Sequence, residues 1–220
     1  MPGKIVKICP QPATFSLQPL KPDRLLVPLQ GRGLEIGVGS GRFAAPLGIQ
    51  VGVDPSEPMM AYARARGIEV VRGVAEDLPF ADDSFDHVLA VTTICFVRSA
   101  PAMLAEARRV LRPGGSLIIG FVDKDSPLGR HYLAHQAESV FYRPAVFFSA
   151  TEVENLLRQA GFTVERWVQT LFRPLDEITD IEPLRPGHGE GGFVVVAATS
   201  PGDQPAIDLA IDRTFNKLIE

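Results

Sequence analysis

Three glycines at alternate positions, Gly37, Gly39 and Gly41, follow an apolar run that carries a carboxylate at Glu35 (LEIGVGSGRF, Leu34 to Phe43). Such a run describes a strand turning sharply into a helix. Residues without a β-carbon let a ligand lie against bare backbone, and the helix N-terminus beyond them offers amide donors. A second apolar segment, Gln50 to Val53, ends in Asp54, seventeen positions after Gly37. A doubly wound sheet places a carboxylate for ribose hydroxyls close to that point. The chemistry implied is the binding of a nucleoside.

Glu35 and Arg42 bear on which nucleoside. In the dinucleotide fingerprint G-x-G-x-x-G, counted from Gly37, the third glycine falls at position 42, which is Arg42 here. A carboxylate beside the loop repels a pyrophosphate and attracts a cation. The loop therefore favours a nucleoside carrying an ammonium and a sulfonium, and disfavours an NAD(P) oxidoreductase. Further along, GRHYLAH holds His131 and Tyr132, which could deprotonate or orient an acceptor. Both also suit the polar face of an ordinary helix. Phe147 and Phe148 suit either a substrate wall or buried core, and His188 lies in a Gly-rich connector.

The elements that must position these groups alternate. The pattern predicts strands over 33–38, 50–53, 69–72, 86–92 and 116–123, with helices over 42–47, 58–66 and 100–111. Pro113-Gly114-Gly115 reads as the stop after the last of these helices. Residues 124–148 form an aromatic, His-containing insert with helical spacing in its first part. Ser149 then opens a helix, with Glu152 in the capping-box position. Strands over 162–171 and 192–199 follow, separated by an acidic connector of roughly twenty residues. Residues 1–22 read as an irregular proline-rich arm. Residues 201–220 read as an extension ending in an amphipathic helix with Ile207, Ala210, Ile211, Phe215 and Leu218 on its apolar face.

At 220 residues, 45% hydrophobic and net charge −4, the chain has material for one α/β domain, 1–220, and no lysine- or arginine-rich stretch. A nucleic-acid surface is not expected. No apolar run approaches a membrane span, and the N-terminus is mixed rather than signal-like. Two cysteines, Cys9 and Cys95, give neither a disulfide framework nor a metal signature. The expected compartment is reducing and cytoplasmic.

Four stretches in order resemble the class I S-adenosylmethionine-dependent methyltransferases, of the ubiquinone/menaquinone-biosynthesis type. LEIGVGSGRF is similar to the family's glycine loop and GVDPSEPMMAYAR to its ribose segment. AEDLPFADDSFDHV is similar to its adenine segment, and RVLRPGGSLIIGF to the approach to the fifth strand. The resemblance runs from about Leu34 to Phe121, and more loosely to Thr199. It implies a doubly wound, Rossmann-like sheet of seven mostly parallel strands, the last antiparallel, with a small helical insert after strand five. It also implies S-adenosylmethionine as donor and S-adenosylhomocysteine as product.

Carried over, Gly37, Gly39 and Gly41 line the methionine part, and Glu35 holds the loop or the ammonium end. Asp54 accepts from the ribose hydroxyls, with Ser56 in the same segment, and Met59 packs on adenine. Asp77 accepts from the exocyclic amine, the Leu78 amide donates to a ring nitrogen, and Thr92 lies near the methionine portion. The alternatives are structural: Asp54 as a helix N-cap, Met59 as core, Asp77 as a turn cap. Where relatives acting on nucleic-acid bases carry an Asn/Asp-Pro-Pro-aromatic stretch, this chain reads TTICF, so the acceptor expected is a small molecule. A protein that binds the donor without transferring methyl groups is the competing reading, and oligomeric state is left open.

Overall fold

The computed structural model describes residues 31–180 and 182–202. Short runs rich in valine, isoleucine and leucine form strands buried on both faces, as parallel strands between helical layers require, save the partly exposed edge strand at 69–72. β1 (Gly33–Ile36), β2 (Val51–Asp54), β3 (Glu69–Arg72), β4 (Phe85–Val91) and β5 (Leu111–Val122) are joined in parallel. Between them run α1 (Ala44–Leu47), α2 (Glu57–Arg64) and α3 (Ala100–Val110). The insert contributes α4 (Pro127–Ala134), and α5 (Ala150–Gln159) leads into β6 (Thr163–Thr170), β7 (Arg185–Pro186) and β8 (Phe193–Thr199).

The strand order is β3-β2-β1-β4-β5-β8-β6-β7. β8 lies between β5 and β6 and runs antiparallel to both. Among the described residues the sheet thus has eight strands rather than seven. The extra one is the two-residue β7, a segment of the long connector that pairs with Val168 and Gln169. Two residues carry no detectable periodicity, so this pairing had no signal of its own.

Alternation along each strand feeds two cores. Val88 and Ala90 of β4 join Met103 and Leu104 of α3 and Val153 and Leu157 of α5. Leu89 and Val91 join Ala44 and Leu47 of α1 and Ala63 of α2 on the other side. Each of these valine, leucine and methionine side chains contributes about 1.5–3 kcal/mol when fully buried.

The stop after α3 is not the expected glycine cap. Leu111 is already extended (φ −78°, ψ 136°), and Pro113-Gly114-Gly115 forms an irregularity inside β5. There Leu111 pairs with Phe85 and Ser116 with His87, so five steps on one strand match two on the other. Gly114 takes φ +76°, and its amide donates to the Ser200 carbonyl at 3.2 Å.

α5 begins as its sequence signals. Ser149 accepts from the Glu152 amide at 3.2 Å and Glu152 accepts from the Ser149 amide at 2.8 Å. The arm 1–22 and the amphipathic segment 207–218 lie outside the described residues. What positions the site is the reversal of strand order at β1: the chain builds outward through β2 and β3, then returns to β4. That leaves a crevice at the carboxyl ends of β1 and β4, where ligands of such sheets bind.

Candidate donor and acceptor site

The loop after β1 is pinned from below. The amides of Gly37 and Val38 both donate to the Val53 carbonyl, at 2.8 and 3.1 Å, tying the loop to β2. Gly37, Gly39 and Gly41 take φ of +71°, +50° and +74°, a region that L side chains rarely enter. Gly37 has a second reason to be glycine: a β-carbon there would come 2.4 Å from the Thr93 hydroxyl oxygen. Thr93 in turn lies 3.0 Å from the Ile36 carbonyl, so the end of β4 is fastened to the end of β1. Thr93 was not among the expected site residues. The adjacent threonines closing the β4 run were its only trace in the sequence.

Gly41 has a packing role. It is buried, and a β-carbon there would strike Ile68 at 2.4 Å and Ala63 at 3.2 Å, which places it against α2 and not on the open side of the loop. Gly39 is the open position: the Met59 methyl at 3.7 Å and the Gly37 carbonyl oxygen at 3.9 Å from its missing β-carbon are both at ordinary contact distance. Met60 enters the core, whereas Met59 is 39% exposed beside the glycine loop. The core alternative for Met59 is thereby removed.

Two buried carboxylates underlie this loop. Glu35, 1% exposed, accepts from the Ala44 amide at 2.9 Å and so anchors the first turn of α1. Burial pushes its carboxyl well above the ordinary range; the Ala44 amide opposes that shift, and the nearby Asp54 charge adds to it. Asp54, 8% exposed, accepts from the Gly39 amide through Oδ2 and from the Ser56 amide through Oδ1, both at 2.8 Å. It is not the cap of α2, because Ser56 occupies that position. A carboxylate has about four lone-pair directions. Two are used here, and two remain for hydroxyl donors.

The adenine-side expectations divide. Asp77 is exposed, on a turn closed by its own amide to the Val74 carbonyl at 3.3 Å. The Leu78 amide, expected to meet a ring nitrogen, is committed elsewhere: it donates to Glu106 Oε2 at 2.8 Å. Glu106 is itself paired with Arg109 at 2.7 Å, and Arg109 also donates to the Leu78 and Phe80 carbonyls. The segment is thus laced to α3, and the Leu78 assignment is corrected. Nothing local in the sequence announces an amide-to-carboxylate bond reaching across twenty-eight residues. Glu76 is half-buried and accepts from the Ser99 amide at 3.2 Å, next to the start of α3.

Thr92 closes β4 with φ +55°, an outlier for a β-branched residue, held by its amide on the Gly120 carbonyl at 2.7 Å. Strain of this kind costs on the order of 1–3 kcal/mol and collects at functional sites.

The insert comes next to this corner through the Val146 amide, which donates to the Cys95 carbonyl at 2.8 Å. Tyr132 lies within it, half-buried. Its ring is 4.9 Å from that of Tyr142. Burial pushes both phenols upward, so they remain protonated and suit hydrogen bonding better than proton abstraction. His131 is exposed on α4, its ring 4.4 Å from that of His135. Phe147 is buried and Phe148 packs against the main core. His188 lies 5.0 Å from the Trp167 ring. A separate cavity of about 610 Å³ lies between α3 and the end of α5, lined by Ala105, Arg108, Leu156 and Ala160. It holds neither the glycine loop nor the carboxylate pair.

Comparison with known proteins agrees with this geometry. Residues 34–119 match a family model described as "Methyltransferase domain". A crystal structure of an S-adenosylmethionine-dependent methyltransferase from Thermotoga maritima, described as a possible histamine N-methyltransferase, superposes with a TM-score of 0.76. It is 52% identical, over 79% of this chain and 83% of that one. The chain belongs to the S-adenosylmethionine-dependent methyltransferases. An uncharacterised protein of Methanocaldococcus jannaschii is 46% identical over 77% of this chain and 82% of its own length. An uncharacterised protein of Mycobacterium tuberculosis is 40% identical, and the chain spans 62% of that protein's length.

This family uses S-adenosylmethionine as methyl donor. The residues present fit it: a loop open at Gly39, spare lone pairs on the Asp54 carboxylate for hydroxyls, and the buried Glu35 beside it. Among the described residues, no helix is long and apolar enough to cross a membrane.

Proposed function

We propose that the chain transfers a methyl group from S-adenosylmethionine to a small-molecule acceptor at the carboxyl rim of β1, β2 and β4. The observation that carries this is the buried Asp54 carboxylate, held by two amides with lone pairs still open, under the open glycine loop at the switch point of the sheet and with Glu35 buried beside it. In this reading Gly37 and Gly39 line the methionine portion, Gly41 braces the loop from α2, and Glu35 faces the ammonium end. Asp54 gives its remaining lone pairs to the ribose hydroxyls, and the Ser56 amide keeps its carboxylate in place. Met59 covers the adenine, Asp77 accepts from its exocyclic amine, and Thr92 stands beside the reacting end.

When bound, the donor supplies an electrophilic methyl on a sulfonium, so the protein's part is alignment and exclusion of water. A neutral amine acceptor needs no base before it attacks. That suits a corner whose Tyr132 and Tyr142 hydroxyls stay protonated and can orient the acceptor. The description of the Thermotoga maritima relative makes histamine the first acceptor to try.

The test has two readouts. S-adenosylhomocysteine at a hundred times its Kd stabilises by about 2.7 kcal/mol, which is a Tm rise of roughly 5–10 °C for a chain of this size. No rise at millimolar ligand overturns the reading. Mass spectrometry of the acceptor after incubation with labelled donor then separates an enzyme from a binding protein. A thermal shift with no methylated product across an amine, phenol and carboxylate panel would assign the latter.

A further inference from the structure

The insert leaves apolar surface open beside the strained end of β4. Phe96, one turn after Thr93, is 37% exposed, and Phe141 is 60% exposed. Their ring centroids are 4.9 Å apart with the planes at 63°, so two open rings meet as a corner. Tyr142 backs this corner, 5.0 Å from Phe141 and 6.1 Å from Phe96. Behind it Tyr132 and Phe147 lie nearly parallel, 6.1 Å apart. A gap of 6.1 Å is too narrow for a further ring between them, since stacked rings need roughly 3.5 Å on each side. A guest must therefore lie on the outside, against Phe96 and Phe141. Val146, exposed and bonded to the Cys95 carbonyl, flanks the same corner.

We infer that this corner is the acceptor subsite and that it selects acceptors bearing a flat aromatic ring. A planar guest can stack on one open ring while meeting the other edge-on, the two arrangements that aromatic pairs prefer. Continuity with the donor site favours a small guest over a protein partner. Phe96 follows Thr93 by one turn, and Thr93 is the side chain that abuts Gly37 of the glycine loop. The inference rests on the methyl-transfer reading above, and the experiment separates the two.

The full-length chain, saturated with S-adenosylhomocysteine, is titrated by ligand-observed NMR with matched probes that differ in ring character alone: benzylamine against cyclohexylmethylamine, and phenol against cyclohexanol. The expected result is at least tenfold tighter binding of the aromatic member of each pair. Phe141→Leu and Phe96→Leu, which keep apolar bulk, should abolish that preference while leaving the S-adenosylhomocysteine Kd unchanged.

Equal binding of both members, or no binding by any probe to product-loaded protein, overturns the inference and leaves the donor site standing. Failure to bind S-adenosylhomocysteine at all would instead sink the methyl-transfer reading. Sedimentation of the same samples adds one more outcome: a dimer that Phe141→Leu dissolves would assign the corner to a second copy of the chain and overturn the proposal.

Discussion

At the scale of single residues, the two buried carboxylates make opposite demands. Asp54 is held by two amides and has hydrogen-bonding capacity left over. Asp54→Ala removes the ribose acceptor and frees two amides. Donor and product affinity should fall by about 1–3 kcal/mol, roughly 5- to 150-fold in Kd by calorimetry. An unchanged Kd in folded protein takes Asp54 out of the site. Glu35 is held by one amide, and burial raises its carboxyl well above the ordinary carboxylate range. The folded chain therefore keeps this proton more tightly than the unfolded chain does. Its stabilising effect is complete below the unfolded value and is lost as pH rises through the folded one. Glu35→Gln, which preserves an acceptor for Ala44, should flatten that decline in a Tm series from about pH 5 to 8. A cationic donor favours the ionised form, so donor affinity should rise with pH in the parent chain and not in the variant. Parallel profiles for the two proteins would refute the assignment.

At the scale of elements, what could be read in advance was what local chemistry dictates. β3 is where the pattern put it, and the Ser149/Glu152 box starts α5 because both partners lie within one turn of chain. Ser149→Ala should lower stability by about 1 kcal/mol, a Tm fall of roughly 2–4 °C in calorimetry, with S-adenosylhomocysteine affinity unchanged. The errors share a cause in contacts between segments distant in sequence. Leu78 lost its expected ligand to Glu106, Gly41 turned out to brace α2, and Pro113-Gly114-Gly115 sits in a bulge shaped by β4 and Ser200. Glycine spacing shows that a backbone needs freedom. It does not show whether that freedom serves a ligand or a neighbouring helix.

At the scale of the whole molecule, a doubly wound, mostly parallel sheet followed from the alternating apolar runs and the family resemblance, whereas the order of its strands, and with it the switch point, emerged from the structure. The aromatic corner was less legible. The insert's composition was plain, but which rings stay open depends on how the chain after β4 meets it. β7 was invisible, being two residues inside a connector. Yet that small strand alters the molecule's outer border. The last ladder ends on Arg185 and Pro186, and proline has no N–H to give a newcomer while arginine brings a charge. Without it the border would be β6, Thr163–Thr170, a longer unpaired edge on which another chain could dock and polymerise. With this hem sewn on, concentrated solutions of the protein gain protection against fibrous growth from that side, at the expense of two residues.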